Sequence, residues 1–115
     1  MNYSMHVNGA DVATDEEGFL LDCADWSVTL AEVIASDLKI DMTPEHWMVV
    51  NYVRQHFKER QSVPEARFVL KAMQCELGKG RSTRKYLYQL FPYGYGQQAC
   101  KIAGMLKPRK LMLDV

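Results

Sequence analysis

The sequence predicts a small α+β domain: an N-terminal β-meander packed against an array of about five helices, with an extended C-terminal arm. Three observations predict it. An Asn8-Gly9 pair in the first twenty residues is a hairpin signal. Helix-start patterns recur after Asp25, the clearest being Thr43-Pro44-Glu45. From Met105 onward the helical stripe disappears, and Pro108 interrupts the remaining segment.

The elements follow in order. Tyr3 to Val7 and Ala10 to Ala13 form the hairpin, and Asp15-Glu16-Glu17-Gly18 turns the chain into Phe19-Leu20-Leu21, so that 1–21 is a meander of two or three strands. Such a sheet needs helices on one face. Asp25 is placed to cap a helix to about Leu38 with Leu30, Val33, Ile34 and Leu38 on one side. Thr43 caps a second helix, with Pro44 in its first turn and Trp47, Val50, Val53 and Phe57 as its stripe. Ser62 or a neighbour caps a third carrying Phe68, Val69, Ala72 and Met73. Thr83 opens a fourth that Pro92 ends, and Gln97 to Ala103 is a short fifth with Gly104 as terminator. The helical array thus spans 25–104 and the arm 105–115.

At 115 residues the chain is one domain, large enough for a core without a disulfide or metal staple. Fourteen basic and fourteen acidic residues cancel, which removes any global attraction to nucleic acid or anionic lipid. No signal peptide and no apolar run of membrane-spanning length is present, so the expectation is a cytoplasmic protein with reduced thiols and no membrane insertion. Cys23, Cys75 and Cys100 lack the spacing of a zinc knuckle or redox pair. Gly94 and Gly96 do not form a phosphate loop. No cofactor or metal is therefore expected.

Cys100 is the candidate for chemistry. Gln98, Ala99, Ala103 and Gly104 around it are small or polar, so the sulfur need not be walled in by bulky side chains. Lys101 adjoins it, and Lys107, Arg109 and Lys110 follow. Positive charge favours the thiolate, which is the nucleophile. The competing reading is a small hydrophobe packed in the core. Cys23 lies beside Asp22, whose charge disfavours a thiolate, and Cys75 reads as a core residue between Met73 and Leu77. His6, His46 and His56 have no evident catalytic partner. Eleven residues follow Gly104, a reach of at most roughly 36 Å when extended. Arg67, Lys71, Lys79, Arg81, Arg84 and Lys85 give the second and third helices a basic surround reminiscent of a helix-turn-helix. Phe68, Val69 and Leu70 crowd the would-be reading helix, so DNA binding is disfavoured.

Several stretches resemble one family across nearly the whole chain. They are Val7-Asn8-Gly9, Asp15 to Leu20, Asp25-Trp26, Thr43-Pro44-Glu45-His46-Trp47, Tyr86 to Pro92, and Gln98-Ala99-Cys100-Lys101-Ile102-Ala103-Gly104 with Lys107-Pro108. The sequence is similar to the DsrC/TusE/DsvC proteins, a family that includes the gamma subunit of dissimilatory sulfite reductase. The resemblance implies sulfur trafficking, with protein partners that are a sulfite-reductase-like complex or sulfur-relay proteins. It implies a site at Cys100, the sulfur-accepting thiolate, supported by Lys101, Gly104, Lys107, Pro108 and Arg109. DsrC-type members carry a second arm cysteine eleven positions on, and TusE-type members keep only that second one. Here that position is Leu111. The arm therefore cannot hold a bridging sulfur between two of its own cysteines. Single-thiol persulfide or mixed-disulfide exchange remains, with a non-catalytic regulatory or binding module as the alternative.

Overall fold

The computed structural model describes residues 3–106. Strands β1 (Tyr3–Val7) and β2 (Ala10–Thr14) pair antiparallel, Tyr3 opposite Thr14 and Val7 opposite Ala10. Asn8 and Gly9 have φ of 50° and 80°, the two positive values that a type I′ turn requires. One sheet face carries Met5, Val7, Val12 and Thr14 and is the less exposed one, with β1 packed towards the first helix. Of the two or three strands expected, two form, and the third reduces to a single bridge between Thr14 and Leu20. The Asp15 carboxylate accepts the N–H groups of Glu17 and Phe19, both at 2.9 Å. A turn thus consumes donors a longer strand would have paired. Phe19 and Leu20 then enter the core, with 0% and 1% exposure.

The helices are α1 (Val28–Asp37), α2 (Pro44–Arg60), α3 (Ala66–Leu77), α4 (Arg84–Leu90) and α5 (Cys100–Ile102), the last preceded by a π-helical turn, Tyr95–Ala99. The cap of α1 is Ser27, whose Oγ accepts the Leu30 N–H at 3.1 Å, not Asp25. Asp22 instead caps a short 3₁₀ turn, Cys23–Asp25, which absorbs Asp25. Thr43 caps α2 as expected, but the residue that completes the capping box is His46. Its Nε2 donates to the Leu90 carbonyl at 2.8 Å, so Nδ1 is the acceptor for the Thr43 N–H at 3.1 Å. That single imidazole joins the start of α2 to the end of α4, edge-on to Phe91.

Helix α3 starts at Glu65 without a side-chain cap; Ser62 does not serve. The buried Pro64 precedes it, and its carbonyl accepts the Tyr95 hydroxyl at 2.6 Å. Buried positions Ala66, Val69 and Met73 define the inner face of α3. Phe68 and Cys75 lie off that face and are exposed, which corrects the core reading of Cys75. Thr83 caps α4 through the Tyr86 N–H at 3.1 Å. One core joins Leu30 and Ile34, Val49, Val50 and Val53, Val69 and Met73, Leu87 and Leu90, and finally Tyr95 and Ile102. Among the described residues, no helix is long and apolar enough to cross a membrane.

Candidate functional site at the root of the C-terminal segment

The last four carbonyls of a helix have no partners within it. In α5 and its cap these belong to Cys100, Lys101, Ile102 and Ala103, and each finds a donor. Gly104 has φ of +78° and donates its N–H to Lys101 at 3.0 Å, while Met105 donates to Cys100 at 3.0 Å. This is a Schellman closure, with glycine at the left-handed position. The Trp26 indole Nε1–H donates to the Ile102 carbonyl at 2.8 Å. Arg54 donates from a terminal guanidinium nitrogen to the Ala103 carbonyl at 2.8 Å. A cation at a helix C-terminus also meets the negative end of its dipole.

Trp26 and Arg54 support each other, since the guanidinium carbon lies 3.8 Å from the indole ring centre. Burial lowers the Arg54 pKa from its ordinary value, and negative charge at Cys23 raises it. Gly104 faces the same indole so closely that a Cβ there would collide with the Trp26 side chain. The glycine is thus required twice, by its backbone angle and by the space it leaves.

Cys100 sits where the π-helical turn passes into α5, and its N–H bonds to the Tyr95 carbonyl. It is 0% exposed and shares the core cluster with Tyr95, Ile102 and Met105. The core reading of this thiol is the one the fold shows: the small neighbours let the helix bed closely on α1 and α2, which buries the thiol. Lys101 carries its ammonium 4.9 Å from the Phe19 ring centre, so it ties α5 to the turn after β2. Met105 is 1% exposed, so the core continues into the segment expected to be arm, and Leu106 is the first exposed residue after it. Lys107, Pro108, Arg109 and Leu111 lie outside the described residues. The three cysteines form no disulfide; Cys23 is half-buried and Cys75 exposed. Among the described residues, no group of three His, Cys, Asp or Glu side chains is placed to hold a metal.

The composition of this site is only half visible in the sequence. Gly104 and Cys100 stand in the family motif around α5. Trp26 and Arg54 lie 76 and 49 residues from their partners, so nothing local announces them. The sequence signals are Asp25-Trp26 among the family-like stretches and an arginine flanked by the apolar stripe residues Val50, Val53 and Phe57.

Comparison with known proteins agrees with this architecture. A family model described as "DsrC like protein" matches residues 6–112. The sulfurtransferase TusE of Escherichia coli is 44% identical over 102 residues, which span 89% of this chain and 94% of that one. The solution structure of Allochromatium vinosum DsrC superposes with a TM-score of 0.85 at 41% identity, covering 96% of this chain and 98% of that one. The oxidised gamma-subunit of the dissimilatory sulfite reductase from Archaeoglobus fulgidus gives 0.87 at 34% identity, covering 94% and 98%. The paired strands, the helical array and the clamped α5 are those of a chain that belongs to the DsrC-like family.

Proposed function

We propose that this DsrC/TusE-like sulfur-trafficking protein carries sulfur on Cys100, as a persulfide or a mixed disulfide with a partner protein. The observation that carries the reading is the four-carbonyl clamp, which fixes Cys100 and Met105 at the start of the C-terminal segment. The reaction is exchange without net oxidation. The Cys100 thiolate attacks the outer sulfur of a donor persulfide, the donor S–S bond breaks, and the donor thiolate leaves. Because the thiol is buried, access requires Met105 and Gly104 to lift from Trp26 and Arg54. Partner docking on the cationic segment after Leu106 supplies a force for that opening, through Lys107, Arg109 and Lys110. The natural partners on this reading are a sulfite-reductase-like complex or sulfur-relay proteins, in the cytoplasm.

The burial of Cys100, together with Leu111 in place of a second cysteine, favours one further reading: a non-catalytic module that binds and regulates such a partner. Incubation with a persulfide donor separates the two. Sulfur on the peptide containing Cys100 supports carriage. A protein that binds its partner through residues 105–115 and never gains sulfur at Cys100 supports regulation.

A further inference from the structure

A second thiol lies in a different setting. Cys23 lines an open cleft of about 620 Å³ between the 3₁₀ turn and the exposed side of α2. Arg54 and Lys58 also line it, one turn apart on α2, together with Trp26, Phe57 and Met105. Among the described residues, the lining holds these two cations and no carboxylate. Acidic groups border it: Asp22, whose carboxylate accepts the Ala24 N–H at 2.9 Å, and Asp25 on the cysteine's own turn, and Glu59 on α2, which accepts from the lining Gln55 at 2.6 Å. Sequence neighbours alone make Cys23 a poor nucleophile. The fold sets a guanidinium and an ammonium from α2 in the wall of the same cleft.

We propose that this cationic cleft captures anionic sulfane-sulfur compounds, polysulfides or small-molecule persulfides, and that Cys23 is the thiol that first accepts their sulfur. The inference rests on the sulfur-trafficking reading and adds a receiving site to it. Three features converge. The cleft is open while Cys100 is enclosed, so a dissolved donor meets Cys23 without any movement of α5. Arg54 and Lys58 attract an anionic donor into the cleft. Trp26 and Phe57 offer polarisable apolar walls to a chain of sulfur atoms. The Cys23 thiolate attacks a sulfane sulfur of the polysulfide, one S–S bond breaks, and the shortened polysulfide leaves as its anion. Cys23 is left as a persulfide or short polysulfide, and no external oxidant or reductant takes part. Met105, a wall of the cleft, is bonded through its N–H to the Cys100 carbonyl, so the receiving site adjoins the backbone that carries the second thiol.

The test uses the full chain and inorganic polysulfide, followed by non-reducing digestion and mass mapping of each cysteine over time. The expected result is sulfur on Cys23 earlier than on Cys100 or Cys75. Lys58→Gln should slow polysulfide uptake at Cys23 by about two- to fivefold at low salt, and leave alkylation by neutral iodoacetamide unchanged. Sulfur on Cys100 alone overturns the cleft proposal and leaves the proposed function standing. Sulfur on Cys23 with none on Cys100, even with a protein persulfide donor, supports the cleft and overturns Cys100 as carrier. Uptake at the exposed Cys75 as fast as at Cys23, or no response to Lys58→Gln, reduces the result to thiol exposure and overturns capture. No sulfur on any cysteine overturns both readings.

Discussion

Gly104 is the residue on which the geometry of the site turns. It combines φ of +78° with an approach to Trp26 that leaves no room for a Cβ. Gly104→Ala adds left-handed strain to overpacking, and the expected loss of stability is about 2–4 kcal/mol. Urea unfolding measures it, and a change within about 0.5 kcal/mol would remove the clamp from the account. Arg54 is the second such residue. Arg54→Met keeps the aliphatic stem but removes a charged donor to the Ala103 carbonyl, and about 1.5–3 kcal/mol should be lost. The same variant should make Cys100 react faster with an aromatic disulfide reagent, because the closure over it weakens. Unchanged Cys100 reactivity in a folded, destabilised variant would show that the clamp does not gate the thiol.

At the scale of elements, the clearest sequence signals are those completed within a few residues. Asn8-Gly9 sets its own turn, and Thr43 and Thr83 each cap a helix through an N–H three residues away. Features that depend on distant residues are not legible in this way. The role of His46 as a staple depends on the Leu90 carbonyl, 44 residues away. Cys75 is misread as core although the periodicity argues otherwise: Ala66, Val69 and Met73 mark the inner face, and a residue two beyond Met73 points elsewhere. The third strand fails because Asp15 offers its neighbours an alternative hydrogen bond. Two predictions belong here. Thr43→Ala should cost about 1 kcal/mol as an ordinary cap loss. His46→Leu should cost more, about 1–3 kcal/mol, since it leaves the Leu90 carbonyl without its donor and the first turn of α2 without its box. Equal costs by thermal or urea unfolding would contradict the staple.

Across the whole molecule, the elements serve to hold α5 against α1 and α2 and to bury Met105 beyond it. The family and fold are legible because the family motifs fall at the turn, the α2 start, the α4 end and α5, which are the junctions that shape the domain. The boundary between domain and arm is not. Met105 lacks a helical neighbour to mark it, yet the Schellman closure draws it into the core. Met105→Ala should therefore destabilise the entire domain by about 2–4 kcal/mol, a cost absent from a solvated tail residue.

The central claim is that sulfur travels on Cys100. The direct measurement is peptide-level mass mapping of the full chain after reaction with a protein persulfide donor, run beside Cys100→Ser. The account predicts one added sulfur atom on the peptide containing Cys100, removed by a thiol reductant and absent from the folded variant. Sulfur confined to Cys23 or Cys75, at the same level in both proteins, would contradict it.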